Sequence, residues 1–494
     1  MRKGKTYVRA NDEGTPINTL DLADGEIIQP LYPYGVGIDC HRSFIEVCVF
    51  VRTSNSIRKY ENTYDTDWKA LGDARDWAEG IIRTKSHPTI DPGVLRYTIE
   101  STSTYHMPII KAWGGNPCVV NPLLASPSRR KTDKLDARLL AYQSMIGLWP
   151  SSFIADPEVQ AFRLLMKRRQ DAGRAAVAIT NRINNYLLRF GHTIGATGSV
   201  QGYTARAIIE DMCRDDFVYM NDKYERLIEG AYICPAGLPG DVKTLIKSMW
   251  EEFDRQKAVE AEFHKRALDK ANGMMWQTNG GDIKGDALLK NLMSVPSVGE
   301  KTALVWLAEV VTPLRFEVKE KLIAFCGCDP SLRVSAGKVT SQTRRGGNTR
   351  LHYQLVKVAG SCINRHSEPF GQWGYALLQR HAKGGYKKAC GAVARRIATA
   401  MYFIHLNGEP FSYDKYNFYK IEVPDISIEE MQLSTRTRNI LGSYNLITSQ
   451  AITSFFIKGE LHRMRGIGKK SIAEVDGWIQ SNKFKRGVNI HEEN

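Results

Sequence analysis

The stretch Lys131–Ala141, KTDKLDARLLA, sets two aspartates three residues apart at the head of an apolar helical stripe. Residues i and i+3 share a helix face, so Asp133 and Asp136 point the same way. Leu139 and Leu140 begin the stripe that seats this helix on a sheet. Two more acids close alternating segments upstream, Asp39 in GIDCH and Glu100 in YTIEST. Singly, each has a plain reading: an aspartate early in a helix complements the helix dipole, and a glutamate at a strand end is solvated. Together, two acids on strands and two on a helix packed against them repel one another unless cations neutralise them. Mg²⁺, a hard oxygen-seeking ion, suits such a set. Two such ions can activate an attacking oxygen and stabilise a leaving one in phosphodiester chemistry. Arg129, Arg130 and Lys131 then read as phosphate clamps beside the metals; the alternative is a solvated basic loop.

The elements that must position these acids follow from periodicity. YGVGIDCHRSFIEVCVFV alternates on both sides of a Cys-His-Arg-Ser turn, which predicts a β-hairpin. DWKALGDARDWAEGIIR predicts a helix. VLRYTIE (94–100) predicts a strand ending at a Ser-Thr cluster suited to cap the next helix. CVVN is a further short strand, and the quoted helix follows. Strands first, then strand–helix units, imply a mixed sheet flanked by helices, an α/β domain over 31–152 after an N-terminal extension over 1–30.

Residues 153–285 read as almost entirely helical, an all-α, coiled-coil-like domain. Ala176, Ile179, Ile183, Tyr186, Leu187 and Phe190 recur at helical spacing, as do Val242, Leu245, Ile246, Met249 and Phe253. Core packing within one chain explains either stripe; a subunit interface is the competing reading for the second, highly charged helix. Pro235, Gly237, Pro239 and Gly240 separate the two. Over 286–412, LLKNLMSVPSVGEKTALVWLAEV has the pattern of a helix-hairpin-helix, whose turn can offer backbone N–H groups to a phosphate without reading sequence. A Ser-, Gly-, Lys- and Arg-rich loop, SLRVSAGKVTSQTRRGGNTR, follows. Residues 413–494 form a linker and a small helical module with a second hairpin at Arg465–Lys470. The stretch LSTRTRNIL with the Gly-Ile-Gly-Lys-Lys-Ser turn resembles the C-terminal domain of the bacterial RNA polymerase α subunit over about 430–485. That implies a module gripping a nucleic-acid backbone or minor groove, with Lys469 and Lys470 at the contact.

At 494 residues the chain is too long for a single core, and its formal charge of +15 attracts polyanions, nucleic acid first among them. There is no apolar run of membrane-spanning length and no signal-peptide core at the N-terminus. The nine cysteines are scattered, with no zinc-ligand spacing, and read as reduced, mostly buried thiols of a cytoplasmic protein, nucleoid-associated if it binds DNA.

The order GIDCHRS, TIEST, NPLLASPSRRKTDKLDARLLA resembles the amino-terminal half of the DEDD-type insertion-sequence transposases, a family that includes the Piv invertase. MSVPSVGEKTA, FCGCDPSLRVSAGK, QTRRGGNTRLHYQL and AVARRIATAMYFIHLNGEPF resemble that family's carboxyl-terminal transposase domain, in the same order. The resemblance covers about 35–412. It implies a ribonuclease H-like, RuvC-like catalytic domain in which Asp39, Glu100, Asp133 and Asp136 converge on Mg²⁺. It also implies a serine nucleophile in the second domain. The family pattern is Asp-Pro-Ser, three residues, Ser-Gly, and the carry-over lands on Ser335 in Asp329–Lys338; Ala336 stands where glycine is expected, so Ser331 and Ser341 are kept as reserves. Lys338, Arg344, Arg345 and Arg350 flank it as candidate nucleic-acid contacts.

A serine attack keeps the phosphodiester energy as a phosphoserine ester, which a new strand end can reseal without ATP. The family further implies donor and target DNA, a structured noncoding guide ("bridge") RNA, and a dimer or tetramer in which the serine of one subunit meets the acids of another. These features point to an RNA-guided recombinase that moves or inverts its own element. The competing readings are a metal-dependent Holliday-junction resolvase-like nuclease with a merely structural Ser335, and a non-catalytic nucleic-acid-binding protein.

Overall fold

The computed structural model describes residues 15–16, 31–53, 56–86, 89, 91–101, 103–121, 133–147, 152–194, 200–217, 231–335, 338–344, 346–367, 369–379, 385–413, 423–457, 461 and 464–482. Within these, only the backbone is described at 15–16, 133–135, 330–335, 338–344, 379, 457, 469 and 480. The chain divides into two compact units, Met1–Ile154 and Ala155–Asn494.

The first unit is built on one sheet with strands β1 (Thr15–Pro16), β2 (Tyr34–Cys40), β3 (Phe44–Arg52), β4 (Ile57–Asp65), β5 (Arg96–Glu100) and β6 (Asn116–Val120). Their order is β1-β4-β3-β2-β5-β6. β2, β3 and β4 form an antiparallel meander, and β5 and β6 add in parallel beside β2, so the five full strands make the expected mixed sheet. Alternation divides its residues between two covered faces. Val36, Ile38, Val47, Val49, Tyr97 and Ile99 pack with α1 (Trp68–Lys85) and α2 (His106–Trp113). Cys48 and Phe50 pack with Ala137, Ala141 and Met145 of α3 (Asp133–Ile146) on the other side. Asp67 caps α1, its side chain accepting from the Ala70 N–H at 3.0 Å. The Ser-Thr cluster after β5 does not cap α2 as expected. The residue preceding α2 is Tyr105, with no side-chain cap, while Ser103 takes a left-handed φ of 50° in a turn over 103–105.

In the second unit, α4 (Pro157–Arg189), α5 (Tyr203–Met212) and α6 (Gly240–Gly273) share a core that includes Ile179, Ile183, Leu187, Ile209, Ile246, Trp250 and Phe253. The apolar stripe of the second long helix is therefore used inside the chain, not kept for a subunit interface; of its residues Leu245 is the exposed one. The region is not all helix. A hairpin of β7 (Met275–Thr278) and β8 (Gly281–Lys284) turns the chain after α6, because Asn279 and Gly280 supply a two-residue turn. Next come α7 (Gly285–Met293), α8 (Glu300–Val310) and α9 (Lys319–Phe325). The segment read as a loop is an antiparallel hairpin of β9 (Pro330–Ser335) and β10 (Lys338–Arg344). Its alternation, Leu332 and Val334 against Val339, was masked by the small polar residues between. α10 (Thr349–Arg365), α11 (Phe370–Gln379) and α12 (Gly385–Asn407) complete a core centred on Trp306, Leu355, Ile363 and Ile397. Val159, Phe162, Ala267 and Ala271 of the long helices belong to that same core. A separate cluster, with Leu441, Ile452, Val475 and Ile479, holds α13 (Thr435–Ser443), α14 (Ser449–Ile457) and α15 (Lys469–Asn482) together as a small helical module. Among the described residues no helix is long and apolar enough to cross a membrane, and none of the nine cysteines is in a disulfide, seven of them being buried.

Candidate active site

Two glycines decide where the acids stand. Gly35 and Gly37 lie on the face of β2 covered by α3. A Cβ at Gly37 would run into Ala141 N and Ala137 O and stand 2.7 Å from Leu140 C. One at Gly35 would meet Ala141 O and stand 2.8 Å from Met145 Cβ. The helix thus rests on the strand backbone itself, an approach only glycine permits. It also runs antiparallel to β2, since Gly35 faces 141 and 145 while Gly37 faces 137 and 141. One step of two residues up the strand reaches Asp39, and a step of about 6.8 Å is close to one helical turn of about 5.4 Å. One turn back from Ala137 and Leu140 are Asp133 and Asp136. The seat therefore sets the first turn of α3 opposite the end of β2.

The sheet register brings Glu100 to the same place. Ile38 pairs with Ile99 in the parallel β2–β5 ladder, so Asp39 and Glu100 are the next residues along, on the α3 face. Asp39 is buried, 7% exposed, and His41 Nε2 stands 3.1 Å from its Oδ2. The His41 ring stacks on Phe44, which fixes its approach. Cys40 donates its thiol to the Glu100 carbonyl at 3.4 Å, tying the two strand ends together. α3 is anchored from its other side by Arg138, whose guanidinium forms a two-pronged ion pair with Glu61 of β4, Nη2 donating to Oε2 at 2.8 Å.

One acid went unnoticed in the sequence. Glu46 of β3 is directly opposite Asp39 in the antiparallel register and is buried, 8% exposed. The Thr63 hydroxyl lies 2.9 Å from both of its oxygens. In IEVCVFV it reads as an outward polar position; the signal that would have flagged it is the Gly-x-Gly-x-Asp spacing, which shows that this face is covered. The two glycines themselves were likewise passed over.

Of the predicted residues, Asp39, Glu100 and Asp136 are thus collected at one end of the first unit. Asp133 is on the same helical turn by its backbone, and its side chain is not among those described. Among the described residues no three carboxylate, imidazole or thiol groups stand close enough to hold a metal ion. The donor chemistry nevertheless fits a hard divalent cation: carboxylate oxygens only, one of them buried, with the neighbouring thiol engaged by a carbonyl. Arg129, Arg130, Lys131 and Arg345 lie outside the described residues. Ser335 ends β9, its backbone paired with Lys338 across the hairpin tip, and Ser331, Ser341 and Arg344 lie on the same two strands. These residues belong to the second unit, the acids to the first. Arg350, at the start of α10, donates to Glu309 at 3.3 Å. Lys469 and Lys470 open α15, with Lys470 exposed.

Comparison with known proteins finds two family matches, the first of which runs past the boundary between the two units. Residues 36–191 match the DEDD_Tnp_IS110 family, described as "Transposase", and residues 289–373 match the "Transposase IS116/IS110/IS902 family". A curated relative, "Insertion element IS110 uncharacterized 43.6 kDa protein" of Streptomyces coelicolor (strain ATCC BAA-471 / A3(2) / M145), is 23% identical over 267 residues. That match takes in 48% of this chain and 62% of the relative, so the chain spans less than two thirds of that protein's length.

Proposed function

We propose that this chain, which carries segments matching both transposase families in the order those segments take along it, is the transposase of a mobile element. It cuts DNA and rejoins it through a serine ester. The observation that carries the reading is the glycine seat of α3 on β2, which sets Asp39, Glu100 and the first turn of α3 at one end of the sheet. That is how a ribonuclease H-like domain assembles acids for phosphodiester chemistry.

Asp39, Glu100, Asp133 and Asp136 are the residues that would hold a divalent cation such as Mg²⁺, which when bound supplies charge neutralisation and Lewis acidity toward phosphoryl oxygens. His41 holds one oxygen of Asp39, and the Cys40 thiol holds the backbone of Glu100. Ser335 Oγ attacks phosphorus, the strand's 3′ oxygen leaves, and the hydroxyl proton passes to that oxygen or to solvent. One P–O bond forms as one breaks, so the reverse attack by a new 3′ hydroxyl reseals DNA without ATP. Lys338, Arg344 and Arg345 neutralise phosphates around the hairpin. Within this proposal a structured RNA pairs with donor and target DNA, and Ser335 of one copy works with the acids of another.

A second reading, a resolvase-like nuclease, is favoured by one observation: the acids belong to a compact unit that does not contain Ser335. One experiment separates them. Protein purified from cells carrying the gene's flanking DNA is incubated with donor and target DNA and Mg²⁺, denatured, and inspected for a DNA-linked protein band beside Ser335→Ala. A band lost in the variant is the expected result. Cleavage by both proteins without a band overturns the serine chemistry in favour of hydrolysis, and sequencing the copurified nucleic acid tests the RNA.

A further inference from the structure

We propose that the second unit grips a nucleic-acid backbone phosphate in a cationic cavity centred on Arg169. The proposal rests on the reading that this chain handles nucleic acid, and it concerns a site apart from the acids and from Ser335.

The cavity, about 800 Å³, is lined by residues of α4, α6, α8 and α10. Six cations line it, Arg169, Arg174, Lys257, Lys301, Arg350 and Lys357, against two carboxylates, Glu260 and Glu309. Both carboxylates are engaged. Glu260 takes Lys257 at 2.7 Å and Lys301 at 3.3 Å. Glu309 takes Asn348 at 2.6 Å and Arg350 at 3.3 Å. Gly173 makes room for this, since a Cβ there would stand 3.1 Å from Glu260 Oε1.

Arg169 is the anomaly. It is 3% exposed, and its Nε is shielded from solvent with no hydrogen-bond partner among the described residues. A guanidinium N–H buried without a hydrogen bond is unfavourable. Burial pushes the Arg169 guanidinium down from its ordinary value, with the Glu260 charge opposing. Lys301 is pushed down too, by burial and then by the Arg169 charge. Like charges held together against burial are stabilised by an anion, and a phosphate's two non-bridging oxygens match the guanidinium fork. Tyr353, 62% exposed, also lines the cavity. An aromatic ring beside a cationic groove is the arrangement on which a base stacks, which favours a polymer over free phosphate.

The test uses the full chain and fluorescence anisotropy with a labelled single-stranded oligonucleotide, DNA and RNA in turn, over a salt series. Lys301 is half-buried, its side chain 48% exposed, and Lys357 is exposed, so Lys301→Gln/Lys357→Gln should leave the fold intact. That pair should lower the slope of log affinity against log salt by about 1.4, at about 0.7 for each single-strand phosphate no longer neutralised. Lys284→Gln/Lys290→Gln, exposed lysines outside the cavity, should keep it. An unchanged slope in the first pair, or an equal drop in the second, overturns the proposal. Inorganic phosphate provides the other arm: a thermal shift abolished in Arg169→Gln, with the oligonucleotide slope unchanged in the lysine pair, would make this a small-anion site and overturn the backbone assignment. A lowered slope in a protein that forms no serine adduct would keep the cavity and sink the recombinase reading, so the two fail separately.

Discussion

Gly37→Ala is the sharpest probe of how this fold builds its site. The new Cβ meets backbone atoms of α3, Ala141 N, Ala137 O and, at 2.7 Å, Leu140 C. Carbon atoms settle at about 3.5–4.0 Å, so the helix must withdraw by roughly 1 Å. Overpacking of this kind costs about 1–3 kcal/mol, which lowers Tm by about 4–8 °C for about 2 kcal/mol in a unit of this size. The larger effect falls on chemistry. Asp133 and Asp136 ride on the displaced helix, and a misplacement of about 1 Å lowers turnover by about 10²-fold. Because the clash is with backbone, Ala141→Gly should not rescue it. Gly72→Ala is the control: nothing lies within 4 Å of a Cβ there, and replacing a mid-helix glycine should add about 0.5–1 kcal/mol. Thermal unfolding and strand cleavage at saturating DNA read both effects. A Gly37→Ala protein with wild-type Tm would refute the close approach. One that loses Tm but keeps full cleavage would refute the link from seat to site.

Asp136→Asn, nearly isosteric, should abolish Mg²⁺-dependent cleavage while leaving affinity for DNA unchanged in an anisotropy titration; full cleavage would remove Asp136 from the site, and Asp133→Asn tests its neighbour in the same way. Deleting residues 423–494 removes a module with its own core, and should weaken nucleic-acid binding more than it slows cleavage of a saturating substrate; loss of cleavage at saturation would show that the module does more than grip. His405 is fully buried, accepts from Trp306 Nε1 at 3.1 Å, and is pushed by burial down to about 3. The unfolded chain gains that proton below about pH 6.5, so stability is complete above that pH and declines below it by about 1.4 kcal/mol per unit. His405→Gln should flatten the decline between about pH 6.5 and 4.5, and an unaltered slope in denaturant titrations would refute the assignment.

The sheet and its acids were legible because local pattern sets them. Asp39 and Glu100 lie at the ends of alternating strands, and Asp133 and Asp136 share a helical turn, so type and spacing place each acid on its element, while their convergence was an implication of the family resemblance. What escaped depends on elements distant in sequence. Glu46 sits where alternation predicts solvent, and only the return of α3 across that face buries it. The β9–β10 hairpin was hidden because serines, threonine and glutamine fill the positions where apolar alternation would have shown. Arg169 belongs to a helix whose charged face reads as solvated; its burial appears only when α8 and α10 are brought against α4. The second long helix misled in the opposite sense, since a stripe offers an interface only until its partner within the chain is known.

The division of the chain bears on the chemistry proposed for it. Each unit has its own core; α3 belongs to the first unit, and β9, which ends at Ser335, belongs to the second. An acid cluster able to activate water would hydrolyse DNA unselectively if it were always competent. Recombination conserves the phosphodiester bond only when a serine hydroxyl meets phosphorus before water does. In the proposed chemistry that meeting depends on assembly with DNA. Covalent adduct should therefore require both donor and target strands, and its appearance with a single short duplex would refute the argument.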